Sequence, residues 1–208
     1  MSDTVPQWLV WAREIQALAQ SGETYALNDW QSQRYRRLMA IAAEIISQHT
    51  QYPTDQLIES FQMQQGYATP KVDVRGAVFR DGKLLLVKEI MDAGWTMPGG
   101  WADVGDSPAA GAEREVWEES GFKVKARKLI GVYDANRVKP MGLYHAVKLV
   151  FLCDLISGEA TPSDETSAVA FFAHDEIPQQ LSGERTRPRH IEHAFAVWQN
   201  PELDTYFD

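Results

Sequence analysis

The stretch Gly100-Trp101-Ala102-Asp103-Val104-Gly105-Asp106-Ser107-Pro108-Ala109-Ala110-Gly111-Ala112-Glu113-Arg114-Glu115-Val116-Trp117-Glu118-Glu119-Ser120-Gly121-Phe122 decides how this chain is read. Ser107 suits a helix cap, Pro108 suits the first helical position, and Gly121 suits the left-handed residue that closes a helix. A helix from Ser107 to Ser120 places Glu115, Glu118 and Glu119 at i, i+3 and i+4. Their carboxylates then crowd one face, where like charges repel by a few tenths of a kcal/mol per pair.

A solvated acidic face would explain three glutamates alone. Three neighbours argue for more. Pro98-Gly99-Gly100 is a turn that lets backbone approach a ligand closely. Arg114 adjoins the cluster, and Ala112 with Val116 gives the helix a second, buried face. Crowded oxygens on a rigid helix suit a hard divalent cation, and magnesium usually bridges carboxylates to substrate phosphates. The charge balance fits that arrangement. With 20 Lys+Arg against 29 Asp+Glu the chain carries a net charge of -9, which repels nucleic-acid backbones. A cation between carboxylate and phosphate would still let a small diphosphate bind.

With these residues in view, the stretch resembles the Nudix signature: Gly, five residues, Glu, seven residues, Arg-Glu-aliphatic-any-Glu-Glu-any-Gly-aliphatic. Gly100, Arg114, Glu115, Val116, Glu118, Glu119 and Gly121 fall on the pattern, Phe122 stands at the final aliphatic position, and Asp106 replaces the usual Glu. The resemblance implies that Glu115, Glu118 and Glu119 hold Mg²⁺, with Mn²⁺ as substitute, and that a backbone carbonyl near Gly99 or Gly100 completes the coordination. It also implies that the residue at 106 supports Arg114 or a coordinated water, a role for which Asp106 is one methylene short. Residues 8–22 and 99–105, and Phe171-Phe172-Ala173-His174-Asp175-Glu176-Ile177-Pro178, are similar to a subgroup with a helical extension. That subgroup includes CDP-choline pyrophosphatases and proteins labelled ADP-ribose pyrophosphatases. The implied fold is α/β: an α/β/α sandwich around a mixed sheet, preceded by a small all-α N-terminal domain. The implied reaction is hydrolysis of a nucleoside diphosphate joined to another group, giving a nucleoside monophosphate and a phosphorylated partner.

The rest of the chain is read outward from this segment. Pro6 opens a helix carrying Trp8, Leu9, Trp11, Ala12, Ile15, Leu18 and Ala19 on one face, ended by Ser21-Gly22. Asn28 caps a second helix carrying Tyr35, Leu38, Ile41, Ala42, Ile45 and Ile46. A third runs from Thr54 to about Gln65, and Gly66 stops it. Residues 1–66 so form a helical domain and 67–208 the catalytic one. Some 65 residues of helix make a small core, so these helices are expected to dock on the rest of the chain or on a second copy, giving a homodimer. The aromatics Trp8, Trp11, Trp30 and Tyr35 are assigned to the core rather than to a ligand site. Beyond Pro70 the period changes to that of strands. Asp81-Gly82 between two strand-like runs signals a hairpin, with further strands near 95–97, 122–134, 143–155 and 168–173 and a last helix from about Pro188 to Gln199.

One cysteine, Cys153, lies in an apolar run and reads as a buried thiol. The first residues lack the pattern of a signal peptide, and no apolar run approaches the roughly 20 residues of a membrane span. The expectation is a cytoplasmic protein with neither membrane nor nucleic acid as partner. For a general base the candidates are Glu118 or Glu119 on the helix and Glu165 in the turn-rich segment 161–166. Arg75, Tyr133, Arg137 and His145, the last placed in a strand, are candidate substrate contacts. His190 and His193 share a helical face and read as surface residues. Two other readings remain open: a catalytically silent nucleotide-sensing Nudix module, and a hydrolase of damaged nucleoside triphosphates. Absence of Gly-x-Gly-x-x-Gly excludes Rossmann dinucleotide binding.

Overall fold

The structure is a computed structural model that describes residues 6–135, 145–183 and 185–208. They form two compact units, one of residues up to Pro70 with His145, the other of Lys71–Ala135 and Ala146–Asp208. Among the described residues no helix is long and apolar enough to cross a membrane.

The helical unit contains α1 (Gln7–Thr24), α2 (Asp29–His49) and α3 (Thr54–Gln62). Leu9, Ala12, Ala19, Met39, Ala42, Ala43, Ile46, Leu57 and Phe61 form its core. The alanines let α1 and α2 approach closely, and Asn28 caps α2 by accepting from the Gln31 N–H at 2.9 Å. α1 does not stop at Ser21-Gly22 as the sequence suggests. It continues to Thr24 because Gly22 is a packing residue: a Cβ there would run into the Tyr35 ring. α3 is shorter than expected, ending at Gln62. Trp11 and Trp30 correct the core assignment, since they are 57% and 59% exposed.

The second unit holds eight strands: β1 (Lys71–Arg80), β2 (Lys83–Glu89), β3 (Trp95–Thr96), β4 (Gly99–Trp101), β5 (Phe122–Asp134), β6 (Ala146–Gly158), β7 (Thr166–Phe172) and β8 (Tyr206–Phe207). With α4 (Pro108–Ser120) and α5 (Pro188–Gln199) they make the expected α/β arrangement. The hairpin at Asp81-Gly82 joins β1 to β2, but the two strands pair only at Phe79–Leu84 and Arg80–Lys83 before diverging. β1 then runs between β4, antiparallel, and β6, parallel. β2 runs between β3 and β7. Both faces are covered. Val78, Leu85, Val116, Phe122, Val124 and Cys153 cluster on the α4 side. Ala77, Leu86, Met97, Val150, Leu152, Ile191, Ala194 and Phe195 cluster on the α5 side. Cys153 is buried as expected.

Candidate functional site

α4 is built as its sequence dictates. The Ser107 hydroxyl accepts from the Ala110 N–H, Pro108 is the first helical residue, and Gly121 closes the helix at φ +78°. Val116 and Ala112 face the sheet, fully buried. Their packing fixes the helix rotation and so the direction of the three glutamates.

Glu119 is the most constrained of them. Its carboxylate is buried and accepts the backbone N–H of Gly99 at 2.9 Å. Burial pushes its pKa up to about 7; Arg75 and the Gly99 hydrogen bond pull it down, and Glu89 and Glu115 add to the rise. Glu115 lies under the next residue of the turn, where a Cβ on Gly100 would meet its Oε2 at 2.9 Å. Its pKa is also raised, by burial first, with Arg114 opposing and Glu118 adding. Glu118 is more exposed and reaches Arg114 at 2.8 Å.

Arg114 is the local counter-ion. Its guanidinium meets Asp103 at 2.8 Å, Asp106 at 3.2 Å, Glu115 at 3.1 Å and Glu118 at 2.8 Å. Asp106 therefore reaches Arg114 despite its shorter side chain.

Glu89, at the end of β2, was not singled out by the sequence. It is buried, ion-paired with Arg185 at 3.1 Å, and aligned in register with Thr166. The Thr166 hydroxyl donates to the backbone carbonyl of Glu119 at 2.9 Å. The carbonyl of Glu165 accepts the Ile90 N–H at 3.0 Å. Thus the loop bearing Glu165, the end of β2 and the C-terminal turn of α4 meet. Burial raises the Glu89 carboxyl too, against Arg185 and Arg75, with Asp92 and Glu165 adding. No local signal marks Glu89, because its burial depends on the pairing of β2 with β7.

The other candidates are not brought to this place in the expected way. Arg75 is 2% exposed and forms a fork with Asp73, at 3.0 and 2.8 Å. The alternating polar residues of β1 are thus interior, not solvated. Tyr133 is buried with its hydroxyl against His193 Nδ1 at 2.9 Å. His145 lies one residue before β6 rather than within a strand, and is exposed. Arg137 lies outside the described residues. His190 corrects the surface reading: it is buried on α5, and burial together with Lys148, Arg189 and Arg187 lowers its pKa to about 2. It is a neutral core histidine.

Among the described residues no three metal-binding side chains already converge as a closed cage; Arg114 draws Glu115 and Glu118 onto itself instead. The donor set still fits a magnesium ion. Such an ion keeps waters and substrate oxygens and needs only one or two protein carboxylates. Glu115 and Glu119, both desolvated, with Glu115 adding to the rise in Glu119's proton affinity, lie against a glycine turn with no side chain in the way.

Residues 69–195 match the NUDIX domain family. The chain belongs to the Nudix family. Residues 6–61 of this Nudix protein match a family described as UDP-X-like, N-terminal oligomerisation domain. It is 35% identical over 203 residues to YjhB of Bacillus subtilis (strain 168), provisionally named an ADP-ribose pyrophosphatase, with 97% of each chain covered. A solved structure described as UDP-X diphosphatase is 30% identical, covers 97% of this chain and 98% of its own, and superposes with a TM-score of 0.63. An ADP-ribose pyrophosphatase structure from Streptococcus suis 89-1591 is 34% identical, covering 67% of this chain and 100% of its own, at a TM-score of 0.61.

Proposed function

We propose that this Nudix pyrophosphohydrolase cleaves the diphosphate linkage of a nucleoside diphosphate joined to a second group, with Mg²⁺ as its cofactor. The observation that carries the reading is the pair of desolvated carboxylates, Glu115 and Glu119, that one face of α4 sets against the Gly99-Gly100 turn. Glu115, Glu118 and Glu119 would hold the cation, with the Gly99 carbonyl as a further ligand. When bound, the cation supplies a lower pKa for the attacking water and neutralises charge on the diphosphate. The protein's own groups do the rest. Arg114 holds Glu118 near the site through their 2.8 Å ion pair, the Gly99 N–H orients Glu119, and a carboxylate takes the proton of the attacking water. Glu165 is our candidate for that base, with Glu118 and Glu119 as the others.

The substrate class follows from length as well as chemistry. The UDP-X diphosphatase structure and YjhB match the whole chain, helical unit included, which favours diphosphates bearing a second group over free triphosphates. ADP-ribose, UDP-linked compounds and CDP-choline all belong to that class. Retention of every helix carboxylate favours turnover over mere nucleotide sensing.

Residues 1–66 act, in this reading, as an assembly domain that joins a second copy, and 67–208 as the catalytic domain. Trp11 and Leu18 on α1 and Trp30 and Leu38 on α2 leave apolar area in water that a lone subunit has no use for.

The test is a screen of nucleoside diphosphate derivatives and triphosphates with Mg²⁺ and with EDTA, products identified by mass. A nucleoside monophosphate plus a phosphorylated partner, formed only with metal, is expected. Undiminished turnover in metal-free buffer, or exclusive attack on triphosphates, would refute the assignment.

A further inference from the structure

Beneath the catalytic turn lies a charge cluster that nothing in the proposed reaction uses. Asp73, Arg75 and Lys148 are each no more than 2% exposed. Asp73 accepts from Arg75 Nε at 3.0 Å, from Arg75 Nη2 at 2.8 Å and from Lys148 Nζ at 2.8 Å. The parallel register of β1 on β6 sets Asp73 directly beside Lys148. Buried ion clusters are poor stabilisers; well-packed apolar residues of similar volume usually serve as well or better. A cluster kept in the interior at that cost calls for another reason.

Its outward connections supply one. The third donor of the Arg75 fork, Nη1, binds the carbonyl of Met97 at 3.2 Å. Arg75 is also the register partner of Gly99. Gly99 has φ +147°, and a Cβ on it would meet Arg75 Cα at 2.7 Å and Cδ at 2.8 Å. The arginine therefore backs the turn with its stem and pins it with its head group. Neighbouring bonds complete the clamp: the Gly76 N–H donates to Pro98 O at 2.9 Å, and the Thr186 hydroxyl accepts from Met97 N at 3.0 Å. Three successive residues, Met97, Pro98 and Gly99, are each fixed by a different partner. The last of these bonds is the one from Gly99 to Glu119.

We propose that Arg75, held rigid by Asp73 and Lys148, is a positioning residue that presets the Met97–Gly99 turn and, through it, Glu119 for the divalent cation. This rests on the metal-dependent reading above. Only arginine can do it. Its planar fork presents two N–H groups to Asp73 and a third to Met97 in one fixed geometry, whereas lysine offers a point charge on a flexible stem. Partners that orient metal-binding groups typically change metal affinity or activity 10–100-fold when removed.

The test uses the full-length protein and reads Mn²⁺ binding by calorimetry or electron paramagnetic resonance beside steady-state kinetics. Arg75→Lys keeps the charge and loses the fork. It should weaken Mn²⁺ binding by about tenfold or more and lower kcat, with a much smaller change in KM. Asp73→Asn, which keeps shape but loosens the fork, should move both in the same direction and serves if Arg75→Lys does not fold. Val197→Ala, which opens a cavity in the core, controls for general loosening: it should lower Tm and leave Mn²⁺ affinity alone. Failure of the parent protein to bind Mn²⁺ would bring down the metal reading itself. If the parent binds and a folded Arg75→Lys or Asp73→Asn variant binds within twofold of it, the positioning role is wrong.

Discussion

The backbone N–H of Gly99 donates to the Glu119 carboxylate at 2.9 Å across the junction of turn and helix. That bond depends on a residue without a side chain. At φ +147° a Cβ on Gly99 would collide with the Val74 carbonyl and crowd Arg75. Gly99→Ala should therefore cost at least the 1–3 kcal/mol of a strained backbone and displace the turn. The expected result is a Tm drop with activity reduced by well over tenfold, measured by calorimetry and turnover on the same preparation. Near-parental activity would mean the turn does not orient Glu119.

Glu119 also gives a pH signature in metal-free buffer. Its folded pKa, raised by burial from 4.5 to about 7, exceeds the unfolded value. Folding then favours the protonated form: the stabilising contribution is complete below pH 4.5 and is lost as pH rises through about 7. The rise corresponds to about 3 kcal/mol. His190 runs the other way. Its pKa of about 2 lies below the free value of 6.5, so stability is lost as pH falls below 6.5. Comparing the parent with Glu119→Gln cancels the histidine. The variant should gain on the parent by up to about 3 kcal/mol between pH 4.5 and 8 in urea unfolding, and saturating Mg²⁺ should shrink that gain. A pH-independent difference would contradict the assignment of Glu119 as a strained carboxylate.

Local signals made the core of the site legible. Ser107, Pro108 and Gly121 mark the ends of α4 through its own backbone needs, and the i, i+3, i+4 spacing then puts Glu115, Glu118 and Glu119 together without knowledge of the sheet. What escaped depends on pairing between distant strands. Glu89 reads as the polar end of an apolar strand until β7 places Thr166 opposite it. Asp73 and Lys148 are separated by 75 positions and meet only through the parallel register of β1 and β6. Arg75 and Tyr133 carry groups suited to a substrate, yet their strand faces turn them into the interior. Trp11 and Trp30 show the opposite failure: helical spacing suggested core, but α1 and α2 pack through small residues and leave both rings outside.

Those exposed rings predict assembly. Full-length protein should run as a dimer in light scattering, burying an interface of at least about 1,200 Å². Deleting residues 1–66 should abolish the dimer or cause aggregation, and Trp11→Glu with Trp30→Glu should yield monomers that keep their helical circular dichroism. A double variant that stays dimeric would place the contact elsewhere.

The identity of the general base is decided by separating metal binding from proton transfer. Glu118 meets Arg114 at 2.8 Å and stands on the same helix as the other carboxylates. If it only binds metal, Glu118→Gln should lose activity that excess Mg²⁺ partly restores. Glu165 differs: it is exposed, on the loop before β7, and its backbone carbonyl is tied to Ile90 rather than to α4. Its carboxylate lies close enough to Glu89 to raise the latter's proton affinity. As base, Glu165→Gln should leave Mn²⁺ affinity unchanged and lower kcat by about 10²–10⁴, the usual worth of a positioned base. The deficit should narrow at high pH, where hydroxide substitutes for the missing group. A Glu165→Gln enzyme within a few-fold of the parent at neutral pH would return the role to the helix.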